Sequence, residues 1–370
     1  AEPNHIYEID EANARAVEPT PEKKVQGLFV DASSELNHKH HEIDFNDFEA
    51  QASLPNRLSR SGPGVAWFDL DADGWEDVII GGGRGGQVMA FRNERGERWA
   101  PLKLGITAPD DVSSIVARRK GDAAELIIAL HTWETGATNG LLVYEVRGTN
   151  VAHKASLPTR AAIGPLPLTQ LRGTMALFAG GRVVSRRYPE PAASHLFLLR
   201  DGQWIDDAEA KEAFARLGLV TGAVWSDLNA DGVPELIVAC EWGTLRVFEF
   251  SAGKIAEKTK DWGLDGLVGR WQSVAGGDID NDGRMDLIAG NWGLNSFYNQ
   301  ASDHQARLWF GDLNGQGGVE MIEAYHDGTQ VRPWRNMEVL GTALPWLPQK
   351  FATHSAYAQA GVAAAQQEGA

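Results

Sequence analysis

This chain of 370 residues has only one cysteine, no long apolar run and no excess of positive charge. The single cysteine, Cys240, ends the apolar run Leu-Ile-Val-Ala-Cys, so a disulfide within the chain is excluded and a buried core position is expected. No apolar run approaches the roughly 20 residues that a membrane-spanning helix needs. The formal net charge of −16 argues against nucleic acid or anionic lipid as the partner.

Motifs of common enzyme classes are missing too. The chain has no G-x-S-x-G nucleophile elbow, no Walker phosphate loop and no H-E-x-x-H zinc motif. The stretch Gly81–Gly86 is rich in glycine, but it follows a predicted strand and precedes no helix, which argues against a phosphate cradle. Paired acids for glycosidic cleavage cannot be singled out, because nearly all clustered acids fall in the loops described next. The sequence therefore predicts no catalytic residue.

What the chain does contain is a repeated acidic loop. Its best copy, Asp278–Asp286, has oxygen side chains at positions 1, 3, 5 and 9 and glycine at position 6. Alternate residues of a tight loop point to one side, so these oxygens can converge on a cation such as Ca²⁺, which prefers oxygen ligands. Glycine allows the sharp turn. An EF-hand is excluded, because position 12 is Ala289 where that motif needs glutamate, and the flanking residues predict strands.

Four copies occur, which we name loop A (69–77), loop B (227–235), loop C (278–286) and loop D (312–320). Loop D is the weakest, because glutamine stands at position 5. The predicted metal ligands at positions 1, 3, 5 and 9 are Asp69, Asp71, Asp73 and Asp77; Asp227, Asn229, Asp231 and Glu235; Asp278, Asp280, Asp282 and Asp286; and Asp312, Asn314, Gln316 and Glu320. We expect about three to four bound Ca²⁺ ions, the alternative being solvated acidic turns.

The loops belong to a longer repeat with a period of about 52 residues, measured at Asp77, Glu125, Ala176, Glu235 and Asp286. The first unit predicts strands at 65–70, 78–80, 87–92 and near 99–104, separated by glycine turns and without an amphipathic helix. Four short strands per unit are the content of a β-propeller blade. Two units lack the acids, near 117–121 and 168–172, but keep the strands, so packing is expected to carry the fold.

The sequence thus predicts an all-β chain, a β-propeller of four-stranded blades with a short helical segment at the C-terminal end. The length allows about seven blades, of which five are evident and a sixth is partly so. Either the ends of the chain supply the remainder or the ring stays incomplete, which would leave an exposed sheet edge.

The two ends depart from the repeat. We expect an extended arm over residues 1–26, the propeller over 27–330 with a short strand from Gly27, and an irregular or helical segment over 331–370. The start at Ala1 fits a mature terminus after signal-peptide removal. His38, His40 and His41 stand close enough to suggest a transition-metal site, although polar loop residues are the favoured interpretation.

Tryptophan is abundant, with 13 residues. Trp133, Trp242 and Trp292 follow the second strand of their units, on the face opposite the acidic loops. Together with Asn291 and Asn295 they form a candidate ligand face, because aromatic rings and polar side chains suit a sugar. Packing between blades is the favoured alternative for each tryptophan.

The loop pattern, followed by an apolar pair and small residues, resembles the FG-GAP (VCBS) repeats of integrin α-like propellers and their bacterial relatives. Further stretches at 54–66, 180–194, 291–295 and 312–351 look like bacterial relatives of cartilage acidic protein. The resemblance covers residues 28 to 358 and implies that the cation ligands are those given above. It also implies an exported protein, whose relatives usually continue into further repeats, so a fragment or a short paralogue is expected.

Three functions stay open. The first is a calcium-binding, non-enzymatic module or accessory subunit of a larger extracytoplasmic assembly (periplasmic, cell-surface or secreted) with a protein or carbohydrate partner. The second is a carbohydrate-active enzyme of the polysaccharide-lyase or sugar-dehydratase type on the same propeller. The third is a structural spacer domain. A central pocket lined by lysine, arginine, histidine and tyrosine near a cation would favour the enzyme.

Overall fold

The strand content predicted for the repeats is confirmed in the computed structural model, which describes residues 27–251, 253–293, 298, 306–328 and 330–362. The predicted arm over residues 1–26 and Asn295 of the candidate ligand face lie outside the described residues. The described chain forms successive antiparallel sheets, and in each the strands follow one another in chain order, apart from one small extra pair.

Sheets 1 and 2 each have four strands. Sheet 1 contains β1 (Val65–Phe68), β2 (Asp77–Ile80), β3 (Gln87–Asn93) and β4 (Trp99–Thr107), and sheet 2 contains β5 (Asp111–Lys120), β6 (Ala123–His131), β7 (Asn139–Arg147) and β8 (Asn150–Pro158). Next comes β9 (Ala162–Ile163), which pairs with β12.

Sheet 3 contains β10 (Leu168–Leu171), β11 (Thr174–Ala179), β13 (His195–Arg200) and β14 (Gln203–Asp206), with β12 (Gly181–Val183) in the connection. Sheet 4 contains β15 (Leu219–Ser226), β16 (Glu235–Glu241), β17 (Leu245–Ser251) and β18 (Lys254–Glu257). Sheet 5 contains β19 (Trp271–Gly277) and β20 (Asp286–Asn291), and sheet 6 contains β21 (Arg307–Gly311), β22 (Glu320–Asp327) and β23 (Gln330–Pro333).

The sheets stack face to face, as propeller blades do. Ile79 and Val88 of sheet 1 share one apolar cluster with Val112 and Ile128 of sheet 2. Further clusters join sheet 2 to sheet 3 and sheet 3 to sheet 4. A second strand that lies between two neighbouring sheets is covered on both faces, which is why every residue of β6 and β16 is buried. This explains the short continuous apolar runs of the sequence.

The two units without acids replace the loop by a two-residue turn. In sheet 3 the turn is Arg172-Gly173, and both residues have positive φ, 49° and 83°. This geometry matches the right-handed twist of the flanking strands. In sheet 2 the strands are joined by Gly121-Asp122. Strand pairing therefore survives without a cation loop, as the sequence predicts.

A segment near the N-terminal end, residues 45–59, occupies the middle of the molecule, and we name it the central segment. Its Leu54 and Leu58 share an apolar cluster with Trp133, Tyr188 and Met321 of sheets far apart in the chain. The segment carries the short helix α2 (Asp47–Ala50), while α1 (Ser33–Leu36) precedes it. The repeat pattern of the sequence does not indicate this role, because these contacts follow no local periodicity.

Polar side chains fix the central segment as well. Asp47 is fully buried, and its carboxylate accepts hydrogen bonds from the Leu58 and Ser59 amides at 2.8 and 2.9 Å. The Gln51 amide donates to the carbonyls of Tyr188 and Val319 and accepts from the Tyr188 N–H. Gln51 thus joins the connection before β13 to the residue before β22, so the central segment ties early and late parts of the chain together.

Helices cover the last sheet. The helices α4 (Met337–Ala343), α5 (Leu347–Lys350) and α6 (His354–Gln359) pack on Ile322 and Ala324 of β22. Two of them begin at side-chain caps, from Asn336 and Thr353. The prediction of a helical C-terminal segment is confirmed.

Two local predictions are wrong. Gly27–Val30 forms no strand, and Leu28 is 96% exposed, because no described strand lies beside it to accept its hydrogen bonds. A helix, α3 (Ala208–Ala213), follows sheet 3, although the sequence predicts strands alone in the repeats. Asp207 caps this helix, and Phe214 after it packs on Phe178 and Phe248, so tertiary packing stabilises six residues with a weak pattern of their own.

Apart from the small β9–β12 pair, the described sheets number six, and two of them keep an uncovered face. Val65 and Trp67 of β1 are 51% and 56% exposed, and Ile288 of β20 is 60% exposed. These side chains lie where a further blade would pack, which agrees with the incomplete-ring alternative.

The Gln51 contacts lead to a stability prediction. Gln51→Ala leaves two carbonyls and one N–H unpaired inside the molecule, so we expect the free energy of unfolding to fall by about 2–4 kcal/mol. Urea unfolding followed by tryptophan fluorescence measures this change. Gln87→Ala is the matched control, because Gln87 hydrogen bonds Thr107 at the exposed edge of sheet 1. Equal losses in the two variants would contradict a tying role for Gln51.

Candidate metal sites

All four acidic loops join the first strand of a sheet to the second. Loop A connects β1 to β2, loop B connects β15 to β16, loop C connects β19 to β20, and loop D connects β21 to β22. The ninth residue of every loop is the first residue of the second strand and pairs with the last residue of the first. Strand pairing therefore fixes both ends of each loop.

The acid at position 1 folds the loop around itself. Its carboxylate accepts a hydrogen bond from the glycine N–H at position 6, at 3.0 Å in loops A, C and D and 2.9 Å in loop B. The residue at position 4 is left-handed in each copy, with φ of 64°, 59°, 60° and 72° from loop A to loop D. The glycine at position 6 also has positive φ, between 79° and 91°, which explains why it recurs.

The acid at position 9 closes the loop from the strand. Its carboxylate accepts from the N–H at position 2 in every copy, at 2.9, 2.8, 2.9 and 3.0 Å from loop A to loop D. Loop D repeats the whole pattern although Gln316 stands at position 5, since the Gln316 N–H donates to Asp312 and Asn314 at 2.9 Å. The loop fold thus depends on positions 1, 6 and 9 and tolerates the neutral residue.

The loops fall into two kinds, which differ at positions 3 and 9. Loops B and D combine asparagine with glutamate, and the Asn229 and Asn314 amides donate to the facing glutamate at 2.9 and 3.0 Å. Loops A and C combine aspartate with aspartate, and neither side chain can donate when ionised. A hydrogen bond within the protein therefore bridges positions 3 and 9 in loops B and D only.

The aspartate-only loops gather carboxylates. Oxygens of Asp69, Asp71 and Asp77 lie within 4.8 Å of one another in loop A, as do oxygens of Asp278, Asp280 and Asp282 in loop C. In loop A, burial raises the pKa of Asp77, and the nearby Asp71 and Asp73 charges raise it further. Converging carboxylates with unfavourable mutual charge fit a hard cation. The residues present therefore suit Ca²⁺.

Loop A also receives support from the neighbouring sheet. The Arg119 guanidinium of β5 donates to the Asp69 and Leu70 carbonyls and stacks over the Phe68 ring at 5.2 Å. The sequence places Arg119 where its own unit lacks an acid, with no sign of a contact to loop A. The contact arises because β5 packs beside β1, and a single-sequence pattern does not register such a pairing.

Only some residues of the candidate ligand face are exposed to solvent. Trp133 is fully buried in the cluster that holds the central segment, so it does not form part of an exposed ligand face. Its burial fits the packing interpretation favoured for each tryptophan, with the central segment among the elements that cover the ring. Asn291 and Trp292 are exposed, whereas Trp242 is partly buried and donates to the Tyr188 hydroxyl at 2.7 Å.

Trp242 and Trp292 enclose a buried cation. Their ring centroids lie 4.7 and 3.9 Å from the Arg270 guanidinium, which also pairs with Glu241. Arg182 pairs with the same carboxylate at 2.7 Å. Although burial opposes ionisation, the two guanidinium groups lower the pKa of Glu241 below its usual value. This arrangement fits the packing interpretation for Trp242, because the cation–π contacts stabilise a charge inside the molecule.

Three further acids, Glu42, Asp111 and Glu134, converge on the face opposite the loops, and the sequence analysis missed them. They come from three separate segments without a common spacing, so no motif could have found them. Two signals lie nearby: the run of His38, His40 and His41 ends directly before Glu42, and residues 41–42 pack against the glycine-rich turn Gly81–Gly86.

The comparisons with known proteins agree with the loop geometry. Residues 227–289, which include loops B and C, match the family described as FG-GAP-like repeat. The resemblance to FG-GAP repeats is thereby confirmed. No curated protein matches the chain.

Several solved structures share a similar chain path. The lectin of Aleuria aurantia has 6% identity, with 73% of this chain and 74% of the lectin covered and a TM-score of 0.36. A lectin of Agrocybe aegerita has 17% identity, coverages of 76% and 83%, and a TM-score of 0.37. An α-L-arabinofuranosidase of Fusarium graminearum has 9% identity, coverages of 63% and 77%, and a TM-score of 0.36. With scores this low, the likeness carries no inference about ligand or activity.

Among the described residues, no helix has both the length and the apolar character required to cross a membrane.

The two kinds of loop lead to an exchange experiment. Asp71→Asn with Asp77→Glu gives loop A the side chains of loop B, and Asn229→Asp with Glu235→Asp does the reverse. We expect the first variant to show a smaller rise in melting temperature on adding Ca²⁺ than the wild type, and the second a larger rise. Differential scanning calorimetry in excess EGTA and in Ca²⁺ measures both. Identical rises in all three proteins would contradict the division into two kinds.

Proposed function

From the FG-GAP-like repeat that this chain contains, we propose that it is a calcium-braced, non-enzymatic binding module built of propeller blades. The observation that carries the proposal is the common fold of loops A to D, which gathers oxygen side chains at one end of each sheet. Ca²⁺ would be held most firmly by Asp69, Asp71 and Asp77 in loop A and by Asp278, Asp280 and Asp282 in loop C, and it would supply charge neutralisation.

An extracytoplasmic location follows from the same ligands. Exposed oxygen sites of extracellular modules bind Ca²⁺ at the millimolar level found outside the cytoplasm. Loops A and C are largely exposed to solvent, so they are expected to be sites of this weak kind. We therefore propose that the module works in the periplasm, at the cell surface or after secretion.

The partner is expected on the face opposite the loops. In an antiparallel sheet the loops between first and second strands lie at one end, and the turns between second and third strands lie at the other. A cavity of about 350 Å³ opens there between sheets 2 and 3. Its polar lining includes Thr135, Arg160, Ser185 and Arg186. Hydroxyl and guanidinium donors suit a partner that presents acidic or hydroxyl groups, such as an acidic carbohydrate or a protein side chain.

The enzymatic alternative has less support. It calls for a pocket lined by lysine, arginine, histidine and tyrosine, and the described lining of the cavity carries Arg160 and Arg186 but none of the other three residue types. The proposed role of this face is binding without chemistry.

Removal of Ca²⁺ tests the brace. A cation that binds only the folded chain stabilises it by about 4 kcal/mol when its concentration is a thousand times the dissociation constant. We expect excess EGTA to lower the melting temperature and added Ca²⁺ to restore it. A melting curve that is the same with and without the chelator would contradict calcium bracing.

Arg186→Ala tests the ligand face. The change removes one charged donor from the cavity, so binding to uronate-containing or sulfated glycans on an array is expected to weaken about tenfold or more. Arg216→Ala is the control, because Arg216 is exposed outside the cavity lining. Glycan binding that survives Arg186→Ala would place the ligand elsewhere. If the wild type binds no glycan on the array, a carbohydrate partner is contradicted and the proposed partner is a protein.

A further inference from the structure

A second carboxylate cluster lies on the face opposite the loops, and we name it the Glu42 cluster. It brings together Glu42, which precedes the central segment, Asp111, which begins β5, and Glu134, in the turn after β6. One carboxylate oxygen of each lies within 4.8 Å of the other two. The three residues belong to segments that the chain joins only through its tertiary fold.

Each carboxylate of the cluster has one oxygen bound and one oxygen without a partner. Asp111 accepts from the Arg84 N–H at 2.9 Å, Glu134 accepts from the Arg84 side chain at 2.5 Å, and Glu42 contacts the His40 ring at 3.1 Å. The remaining oxygens, Oδ2 of Asp111 and Oε1 of Glu134 and Glu42, are buried without a hydrogen bond. Asp111 and Glu134 are only 2% and 6% exposed, so bulk water does not replace the missing partners.

The charges around the cluster do not balance. Asp110 adds a fourth buried carboxylate, with its own Oδ1 unpartnered, and Arg84 is the guanidinium that pairs with the group. Burial is the largest cause that raises the pKa of Asp111, the nearby Glu42, Glu134 and Asp110 charges add to it, and the resulting pKa is about 7. Buried carboxylates this close require either protons or a cation.

The glycine-rich turn explains how Glu42 reaches the cluster. The Gly83 N–H donates to the His41 carbonyl at 3.1 Å. A Cβ at Gly83 would lie 2.6 Å from that carbonyl oxygen and 3.0 Å from both Glu42 carboxylate oxygens. Glycine is therefore needed at this position for close approach. The turn, which carries no function in the sequence analysis, serves as the surface on which residues 41–42 dock.

We propose that Glu42, Asp111 and Glu134 bind one hard divalent cation, which fastens the chain before the central segment to sheets 1 and 2. Carboxylate oxygens select Ca²⁺, Mg²⁺ or Mn²⁺ over softer metals, and the group of convergent ligands contains no histidine. The cation occupies a face without acidic loops, so this site does not depend on the function proposed for loops A to D.

Ion counting on the intact chain tests the site. Equilibrium dialysis with radiolabelled Ca²⁺ and Mn²⁺, and with Mg²⁺ as competitor, measures ions bound per chain in the wild type, Asp111→Asn and Glu134→Gln. Each variant is expected to bind one ion fewer than the wild type. Glu49→Gln, at an exposed acid of α2, is the control and is expected to bind the full number. Asp280→Ala removes a ligand of loop C and is expected to cost one bound ion at a different site. The double variant Asp280→Ala with Asp111→Asn is therefore expected to bind two ions fewer than the wild type.

Glu42→Gln keeps the test decisive if a buried variant fails to fold, because Glu42 is the most exposed of the three ligands. In the wild type, Ca²⁺ or Mn²⁺ is expected to protect the chain before residue 45 from limited proteolysis, and Glu42→Gln is expected to abolish that protection while loop-dependent melting persists. Full ion binding and full protection in Glu42→Gln and Asp111→Asn would overturn the site. If only Asp280→Ala bound fewer ions, all bound ions would belong to the loops, and this result would also overturn the site at the Glu42 cluster.

Discussion

The close approach of carboxylates is the constraint on which the acidic loops and the candidate metal sites depend. In every acidic loop, the hydrogen bonds of positions 1 and 9 to backbone N–H groups fix the turn between the first two strands. The same bonds hold the acids of loops A and C near one point, and in loop A the neighbouring Asp71 and Asp73 charges raise the pKa of Asp77. In loops B and D an asparagine donates instead to the facing glutamate. Loops A and C lack this donor, so the proposed Ca²⁺ would take the place of the hydrogen bond between their aspartates.

The ends of the sheets have different roles. The acidic loops lie at one end, whereas the cavity and the Glu42 cluster lie at the other, beside the turns after the second strands. The central segment runs between the sheets, where Gln51 contacts the backbone of Tyr188 and Val319. A cation at Glu42 would hold the start of this segment, and the loops would stiffen the opposite ends of the sheets. The sheets that carry the binding face would then be held by cations at both of their ends.

Much of the fold could be predicted from the sequence because the repeat is local. The strand bounds of sheet 1, the loop positions and the acid-free units follow from periods of two residues and about 52 residues. The interior of the molecule could not be predicted, since Asp47, Gln51 and Arg119 make contacts with residues far along the chain. Trp133 shows the same limit, because the sequence favours packing for this residue but does not indicate that the central segment contacts it.

Diffraction from crystals grown with Mn²⁺, collected near the manganese absorption edge, tests the central claim most directly. The account predicts anomalous density among Asp69, Asp71 and Asp77 and among Asp278, Asp280 and Asp282, with a further peak at the Glu42 cluster. Well-measured anomalous data with no density in either loop would contradict the claim that converging carboxylates hold a cation there.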